Sequence, residues 1–289
     1  MDKLFQIGSF YFQVITRENL LIPENFLLFQ SFEKVDPDFT YNFSFTESIL
    51  PANGRILAKR QDLTVYETPF GEGRLIGRKG EQDFYACYQE VSEHQAEVFV
   101  SFQNIVDLRF DAVFTSLFAL ERRMIERNSL ILHCAYMEYQ GKGILFSAPS
   151  EIGKSTQASL WEKYRGSHTI NGDRALLRKI KGKWTACGWP VCGSSEICSL
   201  GDTPIYAIVM LKQGEKNQAV PLSPFQAFAQ LYPQITINQW NREFVQKAIS
   251  GIEDLIAQVP VWQLTCDISE EAVNCLENAL FQTKAVRKN

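Results

Sequence analysis

No run of the sequence stays apolar for the roughly 18 to 20 residues that a membrane-spanning helix needs, so no transmembrane helix is expected. The first residues, Met1-Asp2-Lys3-Leu4-Phe5-Gln6, lack the basic region and apolar core of a signal peptide, and none is expected. An excess of basic charge is missing too: 29 Lys and Arg stand against 33 Asp and Glu, a formal net charge of −4. That balance provides no electrostatic footprint for nucleic acid or an anionic membrane, so neither is expected as a partner. Cys187, Cys192 and Cys198 lie fairly close together, but neither a C-x-x-C pair nor a nearby histidine joins them, which argues against zinc. Internal repeats and low-complexity tracts are absent.

What is present is ordinary for a folded chain. Hydrophobic residues make up 45% and charged residues 21%, which argues against disorder. The 289 residues fit one large domain or two modest ones. Seven cysteines form an odd, irregularly spaced set, and Cys134, Cys266 and Cys275 fall within apolar or amphipathic patterns. They read as reduced, partly buried thiols of a cytoplasmic protein.

The two halves differ in pattern. Residues 1–110 read as a β-rich N-terminal domain. Leu4 to Ile15, Asn25 to Phe32, Tyr41 to Phe45, Leu63 to Glu67 and Val98 to Phe102 are strand candidates, rich in aromatics. Turn signals at Pro51-Ala52-Asn53-Gly54, Pro69-Phe70-Gly71-Glu72-Gly73 and Arg78-Lys79-Gly80-Glu81 separate them. Residues 111–289 form the second domain. It opens with a helix expected over Asp111 to Arg127, with Val113, Leu117, Leu120, Met124 and Ile125 on one face. Strand and helix then alternate. Strands are expected at Leu130 to Tyr139, Ile144 to Ser147, His168 to Ile170, Tyr206 to Leu211 and Val261 to Leu264, with a hairpin over Ala175 to Cys187. Helices are expected at Lys154 to Tyr164, Pro224 to Leu231, Arg242 to Gln258 and Ser269 to Phe281, with Lys284 to Asn289 frayed. This is an α/β pattern.

The most informative stretch is Ile144-Leu145-Phe146-Ser147-Ala148-Pro149-Ser150-Glu151-Ile152-Gly153-Lys154-Ser155-Thr156. It matches the P-loop signature G-x-x-x-x-G-K-[ST] everywhere except the first glycine, which is Ala148, and it has the required strand before and helix after. Backbone N–H groups from Ser150 to Thr156, Glu151 and Ile152 included, can curl around a β-phosphate at the positive end of a helix. Gly153 allows close backbone approach, the Lys154 ammonium would bridge β- and γ-phosphates, and the Ser155 hydroxyl would ligate Mg²⁺. The competing reading is a strand-to-helix turn with a chance Gly-Lys-Ser. Downstream, Asp173 ends a short apolar strand in Thr169-Ile170-Asn171-Gly172-Asp173-Arg174, where it could serve Mg²⁺ or accept a proton. Asn-Gly-Asp is also good turn chemistry.

The stretch from about Leu130 to Asp173 resembles the catalytic domain of the HPr kinase/phosphorylase family, which shares a P-loop core with phosphoenolpyruvate carboxykinase. His133, Gly141 to Gly143, Ala148 to Ser155, the helix Gln157 to Trp161, Gly166 and Asn171-Gly172-Asp173 carry the resemblance. It implies an α/β fold with such a core behind the β-rich N-terminal domain. It implies phosphate contact by Lys154, Mg²⁺ contact by Ser155 and Asp173, a catalytic role for Asp173, and a place near the reaction centre for His133. Assembly into a homo-oligomer is implied as well. The chain departs from the family at Ala148, at Glu151, which replaces a glycine, and at Gly172, which replaces the first acid of a pair.

Lesser candidates are Ser194 and Ser195, as hydroxyls on the acceptor side, and Arg242, as a charge stabiliser; plain loop and surface roles compete with both. The expected function is therefore an HPr kinase-like, ATP-binding kinase. It would use ATP or GTP with Mg²⁺ to phosphorylate a hydroxyl of a protein, peptide or small molecule. The alternative is a catalytically impaired nucleotide-binding accessory or regulatory module, which Glu151 and Gly172 favour. A lyase like the carboxykinases fits least, for want of a matching histidine and lysine set.

Overall fold

A computed structural model describes residues 1–81 and 83–282. The expected fraying of Lys284 to Asn289 lies outside the described residues. The chain is mixed α/β and divides into two compact units, Met1–Arg123 and Met124–Asn289. No described helix is long and apolar enough to cross a membrane.

The first unit is a nine-stranded sheet. Its strands are β1 Asp2–Ile7, β2 Phe10–Thr16, β3 Gln30–Ser31, β4 Phe39–Thr46, β5 Ile56–Lys59, β6 Leu63–Thr68, β7 Gly71–Gly77, β8 Phe84–Ser92 and β9 Gln95–Ser101. They lie in the order β3-β1-β2-β4-β9-β8-β7-β6-β5. β4 runs parallel to both β2 and β9, and every other neighbouring pair is antiparallel. The short helices α1, Glu24–Leu27, and α2, Asp111–Ser116, supply Phe26 and Phe114 to an aromatic core. Phe118 is the hub of that core: its ring lies 4.9 to 5.6 Å from those of Phe12, Phe26, Tyr41, Phe43 and Phe114.

Three expectations for this half are corrected. Leu4 to Ile15 is a hairpin that turns between Ile7 and Phe10 rather than one strand, because both its arms bury aromatics on one face. Asn25 to Phe32 is the helix α1 followed by a two-residue strand. The single helix over Asp111 to Arg127 is two, α2 and α3 (Leu120–Glu126), broken at Ala119 with φ 47°. Leu117, Phe118, Ala119 and Leu120 are all buried. A straight helix buries one stripe, so four consecutive buried residues require the chain to turn.

The second unit follows the alternation read from sequence. Its strands are β10 Leu130–Tyr139, β11 Lys142–Ser147, β12 His168–Asn171, β13 Arg174–Ile180, β14 Lys183–Cys187, β15 Asp202–Gln213, β16 Gln218–Pro221 and β17 Val261–Cys266. The helices are α4 Lys154–Arg165, α5 Pro224–Leu231, α6 Arg242–Gln258 and α7 Glu270–Glu277. β11, β15 and β17 run parallel and side by side. β12 and β13 both pair with β10, forming one interrupted strand along its other edge. β14 then links β13 to the start of β15, so the pairings close on themselves.

β11 and β15 are apolar and buried through their middles, Ile144 to Phe146 and Ala207 to Leu211, because both faces are covered there. Leu145, Ile208 and Met210 share a core with Leu231, Phe244 and Ile252 of α5 and α6. Ile144, Phe146 and Val209 share another with Trp161 and Leu276 of α4 and α7. Alternate residues of one strand thus feed opposite layers, as the period of two requires.

Candidate functional site

The site gathers where β11 ends. Its apolar run stops at Ser147, whose hydroxyl donates to the His133 carbonyl at 2.8 Å and ties the strand end to β10. The chain then loops through residues 148–153 into α4. Gly153 has φ 110° and ψ 26°, a left-handed conformation that a side chain would strain. Glu151 is also left-handed, at φ 67°, which costs a residue with a Cβ roughly 1–2 kcal/mol. Both turns in one short loop fold it back over the start of α4. Gln213, at the end of β15, holds it there: Nε2 donates to the carbonyls of Glu151 and Ile152 at 3.5 and 3.4 Å.

Lys154 is buried, and its Nζ donates to the carbonyls of Ala148 and Pro149, each at 3.2 Å. Burial pulls its pKa below the ordinary lysine value, while the charge of Asp173 works the other way. No side chain caps α4, whereas Ser223, Asn241 and Ser269 cap α5, α6 and α7. Uncapped N–H groups at a helix start, beside an ammonium, leave donors and positive charge that an anion can satisfy. Ser150, Glu151, Ser155 and Thr156 are exposed, Ile152 is half-buried and Ala148 is buried.

Asp173 faces this loop from the break between β12 and β13. Asn171 makes the break: fully buried, it accepts from the N–H groups of Asp173 and Arg174 at 2.9 Å through Oδ1. Its Nδ2 donates to the carbonyls of Trp189 and Val191 at 2.8 and 3.1 Å. The Asp173 carboxylate lies 3.4 Å from His133 Nε2 and 3.1 Å from Arg174 Nε. Burial works to raise its pKa, but the His133 hydrogen bond and the charges of Arg174 and Lys154 outweigh it and hold the group below the usual aspartate value. The Ser155 hydroxyl donates to the Gly172 carbonyl at 3.2 Å, so α4 and the strand break touch beside Asp173.

Gly172 has a steric reason to be glycine. A Cβ there would lie 2.0 Å from Ser195 Oγ and 2.3 Å from Ser195 Cβ. A side chain at 172 is excluded by this close approach. Ser195 spends its hydroxyl locally, donating to the Cys192 carbonyl at 2.6 Å. Ser194 is exposed, and Arg242 is exposed at the start of α6. The fold thus brings together the loop 148–156, Asp173 and His133.

Sequence reasoning missed Asn171 as an organiser and Gln213 as a clamp. The polar Asn171 next to the β-branched Thr169-Ile170 pair was a usable signal; nothing in sequence pairs Gln213 with a loop some sixty residues earlier. All seven cysteines are free thiols. Among the described residues, no three His, Cys, Asp or Glu side chains group to hold a metal ion. A largely apolar cleft of about 760 Å³, lined by Tyr206, Pro221, Val261, Trp262 and Leu280 among others, lies at the amino ends of β15 and β17 and includes none of the candidate residues.

Residues 101–281 match the family described as SynChlorMet cassette protein ScmC. The chain belongs to the ScmC family. The matched segment is more than half of the chain and takes in nearly all of the second unit, with the loop, Asp173 and His133. No curated protein matches this chain. Among solved structures it is similar to the Hpr(Ser) kinase/phosphatase from Coxiella burnetii, at 11% identity and a TM-score of 0.31, covering 54% of this chain and 91% of that one.

Proposed function

We propose that the second unit binds a purine nucleoside triphosphate in the loop 148–156 and transfers its terminal phosphoryl group to a hydroxyl of a protein, peptide or small molecule. One observation carries this reading: an uncapped helix start and the Lys154 ammonium lie beside the Asp173 carboxylate, where Ser155 of that helix donates to the Gly172 carbonyl. The loop N–H groups and Lys154 hold the β- and γ-phosphates. Asp173, ionised at neutral pH, orients the acceptor hydroxyl and takes its proton as the acceptor oxygen bonds to the γ-phosphorus. The bond to the β-phosphate bridging oxygen breaks, and the nucleoside diphosphate leaves with that electron pair. His133 fixes the carboxylate by its contact with Oδ1.

The donors also fit Mg²⁺, which takes hard oxygen ligands, few of them from protein and the rest from phosphates and water. Ser155 and Asp173, joined through the Gly172 carbonyl, would hold it, and it would neutralise charge on the phosphates.

A second reading has its own support. Glu151 places a carboxylate within the loop, on a left-handed backbone, where a phosphate would meet a like charge. That favours a regulatory module with weakened nucleotide affinity and no transfer.

Isothermal titration of Mg²⁺ with ATP and with GTP, on the wild type and on Lys154→Ala, tests the first reading. Binding by wild type, lost at least about tenfold in the variant, is expected, since a buried charge-assisted contact to phosphate is worth roughly 1.5–3 kcal/mol. No binding by wild type at millimolar nucleotide would sink both readings. Binding without phosphotransfer or hydrolysis would leave the regulatory module.

A further inference from the structure

The parallel strands β11, β15 and β17 end side by side, and their ends are joined. β11 runs into the loop that carries Lys154. β15 ends at Gln213, whose side chain clamps Glu151 and Ile152, and Gln213 sits opposite Cys266, the last residue of β17. In the first turn of α4, Gln157 donates from Nε2 to the Asp267 carbonyl at 3.1 Å. The segment Asp267-Ile268-Ser269 is therefore fastened beside the start of α4, on the β15 and β17 side of β11. Asp173 and His133 lie on its other side, on and next to β10. Ligands of open α/β sheets sit outside the carboxyl ends of the strands. A triphosphate in the loop with its terminal phosphoryl group toward Asp173 has its nucleoside directed the opposite way, toward Asp267 and Ile268.

The groups there suit a purine. Ile268 is 76% exposed, an apolar surface with no described layer over it. The Asp267 carboxylate is held in place through one oxygen: Oδ1 accepts from Asn217 Nδ2 at 3.0 Å and from the Ser269 hydroxyl. Asn217 Oδ1 in turn accepts from the Asp267 N–H at 3.1 Å. Those two hydrogen bonds, from Ser269 first and Asn217 second, hold the carboxyl below its usual range and so ionised. The side chain is exposed, so the carboxylate can accept from a ligand. An ionised carboxylate accepts hydrogen bonds and donates none. Guanine offers it two adjacent donors, N1–H and the N2 amino group. Adenine offers one donor beside the N1 acceptor, which a carboxylate repels.

We propose that the carboxyl ends of β15 and β17 form a nucleobase subsite, with the base packed on Ile268 and Asp267 selecting guanine over adenine. This rests on the triphosphate reading of the loop. Titration of the full chain with the Mg²⁺ complexes of GTP, ATP and xanthosine triphosphate tests it, on wild type, Asp267→Asn and Lys154→Ala. Wild type should prefer GTP over ATP by about tenfold, the value of one matched charge-assisted base contact. Asp267→Asn should lose that preference and gain xanthosine triphosphate binding, because its amide can donate to the carbonyl that replaces the guanine amino group. A misfolded variant cannot gain a ligand, so the gain separates recognition from damage. Equal GTP and ATP binding, with no gain in Asp267→Asn but loss in Lys154→Ala, would overturn the subsite and leave the triphosphate reading standing. No nucleotide binding by wild type would overturn both.

Discussion

Asp173 earns its ionised state from its neighbours, and that gives it a pH signature. Its folded pKa lies below the ordinary value, so its contribution to stability is fully present above about pH 3.9 and disappears as the pH falls through the folded value. The difference in unfolding free energy between wild type and Asp173→Asn should therefore stay constant from neutral pH down to about 4 and close below it. Urea titrations at a series of pH values check this; a gap that widened in acid would contradict the His133 and Arg174 contacts as its cause. Glu151 stands at the same scale with the opposite character. It combines a left-handed backbone with an exposed carboxylate, a local cost that Gln140 and Lys181 also bear in plain hairpin turns.

At the level of elements, the strand break at Gly172 and Asp173 is a packing device. Cys134 N–H donates to the Asp173 carbonyl at 2.9 Å across the break, and Ser195 fills the space where a Gly172 side chain would be. Gly172→Ala should cost about 1–3 kcal/mol in denaturant unfolding, the usual penalty for overpacking. In a Ser195→Gly background the same change should cost clearly less, and an additive double-mutant cycle would rule out this contact as the reason. The glycine that read in sequence as a lost acid is here a residue that admits its neighbour.

Elements of strong period were legible before any fold was known. β10, α5 and α6 match their expected bounds, since Ser223 and Asn241 cap the helices and Gln140-Gly141 turns the chain after β10. β7 was hidden because Gly71 and Gly73 read as turn residues. Both face close neighbours instead: a Cβ on Gly73 would strike the Tyr66 ring at 2.2 Å.

Across the whole molecule, the two units rely on different physics. The second is held by apolar layers on both faces of a sheet. The first buries a charge network as well as aromatics. Glu72 and Glu90 are each 2% exposed. Arg122 lies 3.1 Å from both of them, Arg123 lies 2.7 Å from Glu90, and Arg74 bridges Glu72 to Glu121. Truncating one partner of a buried pair strands the other charge. Glu90→Gln should thus destabilise the chain by about 3–5 kcal/mol, whereas Glu67→Gln, which breaks the exposed pair with Arg55, should leave the unfolding midpoint nearly unchanged. Comparable losses in a denaturant series would show that burial does not set the difference.

The sequence by itself determined what depends on near neighbours along the chain: the strand–loop–helix at 144–165, the capped starts of α5 and α6, and the proximity of Lys154 to the loop it ends. Backbone geometry and periodicity act over a few residues, so a few residues suffice to read them. Only the tertiary structure decided which distant groups meet: Asp173 with His133, Gly172 with Ser195, Gln213 with the loop and Asp267 with α4. Those meetings depend on strand order and on which edges pair, and pairing is set by burial across the whole unit rather than by any local run of residues.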